Sequence, residues 1–161
     1  MLDIQIRRLS VKEEIEPFIK FFQAMLTEMT SFGGHPLQDA NSLLSSLRYP
    51  IQEDVQSPDC LLLVAELNSP ESQLIGILEA NIANLYPIFL PKSSLHIRAV
   101  YVTPKFRRRG IALSLFEEAF AWGRVKGCTE VDLNVLLSSP AKVLYESLGF
   151  EAFEIEMRRK L

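Results

Sequence analysis

The chain has 161 residues, of which 48% are apolar and 23% are charged, and its formal net charge at pH 7 is -3. This length predicts a single domain over residues 1–161. No run approaches the ~18 apolar residues of a membrane span, and the acidic balance argues against a general nucleic-acid surface. The N-terminus lacks the basic start and apolar core of a signal peptide, so we expect a cytoplasmic protein that binds neither membrane nor nucleic acid.

The first part of the chain predicts a strand and two helices. Residues 3–8 alternate polar and apolar side chains, as a strand does. Ser10 is a candidate N-cap for a helix whose apolar stripe runs to Met29 and which ends near Gly33. The segment 37–49 carries leucines at helical spacing, and Pro50 is expected to end this second helix.

The middle of the chain changes to strand patterns. Residues 61–67 and 74–82 predict a hairpin around a polar turn at 68–72. The apolar segment 85–91 contains two prolines and is expected to be a loop. The strand pattern resumes at 95–102.

The last third alternates helices and strands. It predicts a helix from Arg109 or Gly110 to Gly127, a strand at 131–135, a helix between Ser139 and Gly149, and a strand at 150–157. The whole order is β-α-α-β-β-β-α-β-α-β, an α/β fold with helices available for both faces of a sheet. Cys60 and Cys128 match no metal-ligand spacing and predict free thiols, and we expect no metal.

The segment 102–112, VTPKFRRRGIA, joins a predicted strand directly to a helix N-terminus. Such a terminus binds anions, because its first N–H groups lack intrahelical partners and the helix dipole adds partial positive charge. Gly110 and Ala112 permit close approach of a phosphate, and the arginines at 107–109 supply countercharge. A solvated basic turn is the alternative for the arginines alone. The residues after Gly110 match neither a Walker loop nor a dinucleotide fingerprint.

Two motifs in this order resemble those of the GNAT superfamily of N-acetyltransferases. Arg-x-x-Gly-x-Ala at 107–112 is similar to the motif that holds the pyrophosphate of coenzyme A, and AKVLYESLGF at 141–150 is similar to the family's Ala-x-x-Leu-Tyr-Glu-x-x-Gly-Phe helix. The resemblance is strong over 95–150 and depends on element order before that. It implies a mixed, mainly antiparallel central sheet flanked by helices, with acetyl-CoA as cosubstrate.

The resemblance also implies where the coenzyme binds. The expected contacts are Val100, Tyr101, Val102, Arg107, Arg108, Arg109, Gly110, Ile111, Ala112 and Ser138. The N–H groups of residues 100–102 would pair with the pantetheine arm and polarise the thioester oxygen. Ser138 stands where members of the family often carry an asparagine.

The implied reaction is direct attack of a neutral amine on the thioester, with Tyr145 as general acid for the departing thiolate. A tyrosine at the edge of the core is the alternative interpretation. Arg98 stands where many members carry a glutamate base, yet an alkylammonium with pKa ~10.4 needs a proton acceptor. His96 and Glu79 are the candidates, although a lone histidine in a strand is often structural and an exposed sheet face explains Glu79 equally well.

By resemblance, the amine of a small molecule or a protein enters between residues 29–36 and 86–91. The last strand is expected to be reduced or supplied by a second copy, so a homodimer is an expectation. Two other functions remain open at this point. One is a non-catalytic acyl-CoA-binding module that acts as a sensor or partner, and the other is an unrelated α/β domain that captures a different phosphate compound.

Overall fold

The computed structural model describes residues 3–9, 15–68 and 72–161. Its centre is a five-stranded sheet in the order β1-β2-β3-β4-β5. The strands are β1 (Ile4–Arg8), β2 (Cys60–Leu67), β3 (Gln73–Asn84), β4 (Ser93–Val102) and β5 (Val131–Leu133). The first four pair antiparallel and β5 runs parallel to β4, which confirms the predicted mixed, mainly antiparallel sheet.

Four α-helices in the described part of the chain cover both faces of the sheet. They are α1 (Ile15–Thr30), α2 (Ala40–Gln56), α3 (Ile111–Val125) and α4 (Ala141–Ser147). On one face, Phe18 and Ile19 of α1 and Ile51 of α2 pack against β2 and β3. On the other, Leu115 and Phe116 of α3 join the larger core cluster. None of the described helices is long and apolar enough to cross a membrane.

Strands β4 and β5 diverge after a short pairing. They pair over three residues each, and the last pair is Ile97 with Leu133. Beyond it β5 ends, whereas β4 continues to Val102. On the side of β3, a register shift leaves Arg98 as an extra, bulged residue. Among the described residues, one backbone edge of 98–102 therefore has no strand beside it.

Most predicted elements agree with the structure within a few residues. The strands predicted at 3–8 and 95–102 are β1 and β4, and residues 85–92 form no strand. The proposed cap at Ser10 and the hairpin turn at 69–71 lie outside the described residues. Both cysteines are free thiols, as predicted.

Helix α2 corrects the prediction that Pro50 ends a helix. The Asp39 side chain accepts hydrogen bonds from two N–H groups at the start of α2, and the helix then runs through Pro50. A proline in a helix interior costs ~3 kcal/mol because it removes a hydrogen bond and crowds the preceding turn. Contacts beyond the proline offset this cost, since Ile51 is buried and Asp54 forms an ion pair with Arg98.

The strand predicted at 150–157 is wrong. Residues 150–161 form neither helix nor strand. Phe153, Ile155 and Met157 alternate along this tail and are 82%, 75% and 90% exposed. A strand requires a neighbour for its backbone hydrogen bonds, and no described strand of this chain pairs with the tail. Arg158 Nη2 donates to the Gly33 carbonyl over 3.1 Å.

Candidate active site

A cleft of about 540 Å³ opens where β4 and β5 diverge. Residues 97–102 of β4 form one wall, and residues 133–136 with the N-terminal half of α4 form the other. The N-terminus of α3 closes one end, and side chains from the C-terminal half of α1 reach the opening. The cleft thus brings together the two sequence motifs.

The start of α3 presents an uncapped helix N-terminus to this cleft. Gly110 precedes the helix with φ 81°, in the left-handed region that favours glycine, and no described side chain caps the helix. Arg108 also has positive φ, 58°, which is uncommon for a residue with a side chain. Ile111 and Ala112 line the cleft with Gly110. The free N–H groups and the positive end of the helix dipole therefore suit a phosphate.

The side chain of Arg107 is turned toward α1. Its Nη1 and Nη2 donate to the two carboxylate oxygens of Glu28 over 2.8 and 2.6 Å, and its Nε donates to the Val102 carbonyl over 2.8 Å. The guanidinium also lies 5.2 Å from the centre of the Tyr101 ring. The hydrogen bonds from Arg107 hold the pKa of Glu28 below its usual value. This side chain therefore joins α1 to the loop before α3.

The structure separates the other predicted coenzyme contacts into two groups. Those that line the cleft are Val100, Tyr101, Val102, Arg108, Gly110, Ile111 and Ala112. Arg109 and Ser138 are not among the residues of the cleft wall. The Ser138 hydroxyl donates to the Phe32 carbonyl over 2.7 Å and so ties the loop after β5 to the end of α1.

Tyr145 lies on the cleft wall that α4 provides. Its ring packs edge-on against Phe116 and Phe150, with centroids 5.9 and 6.1 Å apart. Burial raises the pKa of its hydroxyl above the ordinary phenol value. The hydroxyl therefore stays protonated at neutral pH, as a proton donor must.

Glu79 is a buried carboxyl, 1% exposed, behind the bulge of β4. Arg98 Nη1 lies 2.9 Å from Glu79 Oε1 and 2.7 Å from Asp54 Oδ2. The contact with Glu79 lacks hydrogen-bond geometry, and neither Glu79 oxygen receives a hydrogen bond from a described residue. Burial raises the pKa of Glu79 to about 7, against the attraction of Arg98. Arg98 lines the cleft and Glu79 does not. Because Glu79 is buried, the alternative that it lies on an exposed sheet face is wrong.

His96 lies opposite Asp132 in the pairing of β4 with β5. Its Nδ1 is 2.5 Å from Asp132 Oδ1, and the Ser94 hydroxyl donates to Asp132 Oδ2 over 2.6 Å. His96 is not itself among the residues of the cleft wall, but it directly precedes Ile97, which lines the cleft. The two candidate bases therefore lie close to the β4 wall but are held in different surroundings.

Sequence reasoning did not predict the partners of three carboxylates that the fold brings to this region: Glu28, Asp54 and Asp132. Asp132 alternates with Val131 and Leu133, which indicates a polar strand face, but nothing in the pattern pairs it with a histidine. Glu28 and Asp54 occupy helix positions that resemble ordinary solvent-facing ones. Their partners are at least 36 residues away in sequence, so no local signal identifies them.

Comparisons with known proteins show which family and which proteins this chain is similar to. The model of the acetyltransferase (GNAT) family matches residues 22–150. The aminoglycoside N(6')-acetyltransferase type 1 of Acinetobacter baumannii is 27% identical over 120 residues, which are 69% of this chain and 82% of that protein. The protein of the same name from Acinetobacter genomosp. 13 is 31% identical over 106 residues, which are 65% of this chain and 71% of that one.

Solved structures share the fold. The aminoglycoside acetyltransferase AAC(6')-Iy, in complex with the bisubstrate analogue CoA-S-monomethyl-acetylneamine, has a TM-score of 0.70 at 23% identity and covers 99% of both chains. A predicted acetyltransferase from Clostridium acetobutylicum, with acetyl-CoA, has a TM-score of 0.79 at 16% identity and covers 98% of this chain and 96% of that one. Because the family model spans most of the chain and both motifs of the cleft, this chain belongs to the GNAT acetyltransferase family.

Proposed function

We propose that this chain transfers an acetyl group from acetyl-CoA to a primary amine of a small molecule, by direct attack of the amine on the thioester. The observation that carries the proposal is the cleft between β4 and β5, where the N-terminus of α3 and Tyr145 face the same space. Membership of the GNAT family and the N-acetyltransferase names of the curated relatives support it.

The residues of the cleft suit coenzyme A in charge and in the backbone groups they offer for hydrogen bonds. The uncapped start of α3 suits a pyrophosphate, and Arg108 adds positive charge beside it. The edge of 98–102 without a strand partner offers backbone groups to the amides of a pantetheine arm. Bound acetyl-CoA would supply the thioester carbonyl that the amine attacks.

The cleft also offers an acid, and two candidate bases lie beside its β4 wall without lining it. Tyr145 would give its proton to the departing thiolate, and N–H groups of 100–102 would stabilise charge on the carbonyl oxygen. An alkylammonium must first lose a proton, and either His96 or Glu79 would accept it. No covalent intermediate on the protein is required, because the amine is itself the nucleophile.

For the acceptor we propose small cationic amines, and aminoglycosides are the first class to test. The named relatives are aminoglycoside N(6')-acetyltransferases. The α1 side of the cleft combines the Glu28 carboxylate with the apolar side chains of Met25, Met29 and Phe32, which suits a cationic ring compound. A protein amino group is the second acceptor class, and an assay of acetyl transfer to each class distinguishes the two.

Coenzyme binding is tested by thermal unfolding with acetyl-CoA. Ligand at 100 times its Kd stabilises a protein by about 2.7 kcal/mol, so we expect Tm to rise. Ala112→Glu places a carboxylate in the proposed phosphate site, and it should abolish the rise. Ser114→Glu adds the same charge to an exposed position of the same turn and should preserve it. Absence of a rise in the unaltered chain would contradict the proposal and favour a domain for another phosphate compound.

Turnover distinguishes an enzyme from a non-catalytic module. Release of the free coenzyme thiol is followed with aminoglycosides, linear polyamines and lysine-containing peptides as acceptors. We expect release with at least one of the small amines. Acetyl-CoA binding without release for any acceptor would instead favour a sensor or partner protein.

We also propose that two copies of the chain associate through the tail. Phe153, Ile155 and Met157 alternate as in a strand and are exposed. β5 is the last strand of the sheet, so its outer edge carries no strand in the described chain. The strand-like tail of one copy can therefore pair with the open β5 edge of a second copy, and the reverse.

A further inference from the structure

Asp132 holds His96 in one orientation from the neighbouring strand. One carboxylate oxygen is 2.5 Å from His96 Nδ1, and the other accepts the hydroxyl of Ser94 over 2.6 Å. Ser94 is 3% exposed, so its hydroxyl is a fixed anchor for the carboxylate. All three side chains come from the paired ends of β4 and β5, where backbone hydrogen bonds restrain their positions.

This contact determines which imidazole nitrogen carries the proton. An ionised carboxylate only accepts hydrogen bonds, so in the neutral ring Nδ1 must carry the hydrogen and Nε2 must carry the lone pair. No hydrogen bond to Nε2 comes from the described residues. The His96 side chain is 26% exposed, so a proton donor can reach it. Glu79, at 1%, lies behind Arg98 and is far less accessible.

The histidine is close to where the cleft begins. Ile97 and Leu133 are the last paired residues of β4 and β5, and both line the cleft. His96 and Asp132 are the pair directly before them, about 3.3 Å along each strand. Leu95 and Ile97 pack toward α3, so strand alternation places His96 on the opposite face, where α1 and α2 lie.

We infer that Asp132, anchored by Ser94, is a positioning residue that holds His96 with Nε2 as the base for the amine acceptor. This inference rests on the proposed function. The ammonium gives one proton to Nε2 and becomes the nucleophile. Its nitrogen then bonds to the acyl carbon, the carbon–sulfur bond breaks, and the thiolate takes a proton from Tyr145. The nitrogen loses a second proton once it is acylated, and this proton returns to Tyr145 through solvent. His96 releases the proton that it took from the ammonium, so one proton leaves per turnover.

The orientation of the His96 ring can be measured without any amine acceptor. The chain contains only two histidines, so in 15N-histidine-labelled protein the His96 ring signals are assigned by their loss in His96→Gln. At pH 8, above the ordinary imidazole pKa of ~6.5, long-range 1H–15N spectra show which nitrogen bears the hydrogen. We expect the hydrogen on Nδ1 in the unaltered chain. Asp59→Asn is the control and should keep it there, because the Asp59 carboxylate pairs with Lys126 and not with His96. Asp132→Asn should lose this preference, because its amide can donate to Nδ1.

The kinetic consequence is a loss of kcat. We expect His96→Gln and Asp132→Asn each to lower kcat by about 100-fold with little change in KM for acetyl-CoA, and the double variant to be no slower than the slower single one. Added imidazole should partly restore His96→Ala, because Asp132 can orient it. Imidazole should not restore activity in the double variant His96→Ala/Asp132→Asn.

The outcomes separate this inference from the proposed function. An unaltered chain without turnover but with the Nδ1–H tautomer would overturn the acetyltransferase proposal and retain the positioning role of Asp132. An Nε2–H tautomer, or an Asp132→Asn variant with full kcat, would overturn the positioning role. Full activity in His96→Gln together with loss of activity in Glu79→Gln would assign the base to Glu79.

Discussion

The hydroxyl of Tyr145 can be removed without disturbing the aromatic cluster around it. The contacts with Phe116 and Phe150 are ring contacts, which a phenylalanine preserves. At the scale of single residues, this makes Tyr145 a clean test of the proton donor.

We predict that Tyr145→Phe lowers kcat by about 100-fold and leaves the acetyl-CoA-induced rise in Tm unchanged. The reason is that only the donor for the departing thiolate is lost. Steady-state release of the coenzyme thiol and thermal unfolding measure the two quantities. A variant with the kcat of the unaltered chain would show that Tyr145 only packs against the core.

The buried carboxyl of Glu79 predicts a pH dependence of stability. Its pKa in the folded chain is about 7, raised from 4.5, so the folded state binds more protons than the unfolded state between these values. Protonation of Glu79 therefore stabilises the folded chain fully below about pH 4.5, and this stabilisation is lost as pH rises through about 7. For Glu79→Gln, which cannot titrate, we predict that stability relative to the unaltered chain increases from pH 5 to 7.5, by on the order of 2 to 3 kcal/mol. Urea unfolding at several pH values measures this, and parallel pH profiles would contradict it.

At the scale of elements, the ion pair of Glu28 with Arg107 connects α1 to the loop before α3. Both side chains line the cleft, so each contributes charge where a coenzyme and an acceptor would meet. They are about one third exposed, which limits the pair's own contribution to stability to roughly 1 kcal/mol or less. The larger effect of these two charges is on the binding of an anionic coenzyme and of a cationic acceptor.

We predict that Glu28→Gln tightens binding of the anionic coenzyme and weakens binding of a cationic acceptor, each by a few-fold, because the cleft becomes more positive by one charge. Coenzyme titrations and acceptor KM values test this. Glu16→Gln is the matched control, because Glu16 pairs with Arg48 between α1 and α2 and neither residue lines the cleft. Weaker coenzyme binding in Glu28→Gln would show that the pair mainly orients the loop.

At the scale of the whole molecule, the tail leaves apolar side chains in solvent. Arg158 contacts the connection between α1 and α2, so an association through the tail would also affect the acceptor side. We predict that the unaltered chain is a dimer and that the double variant Phe153→Lys/Ile155→Lys is a monomer. Light scattering during gel filtration measures this. Leu137→Lys, which changes an exposed apolar residue outside the tail, should remain dimeric, and an unaltered chain that is monomeric at tens of micromolar would contradict the proposal.

Local patterns in the sequence were sufficient for most elements. A strand alternates every second residue and an amphipathic helix repeats every 3.6, and both signals lie within one segment. They failed at Pro50 and at residues 150–157. At Pro50 contacts with distant residues decide the outcome, and at 150–157 a strand needs a partner that no described residue of the chain supplies.

The sequence by itself determined the junction of strand, loop and helix at 102–112 and the place of Tyr145 on a helix, because the signals for these elements follow each other directly along the chain. Only the tertiary structure decided that Arg107 faces Glu28, that Arg98 covers Glu79, and that Asp132 orients His96. These pairs depend on strand register and on the packing of α1 and α2. A charged residue in sequence carries no information about which distant side chain the fold places within 3 Å of it.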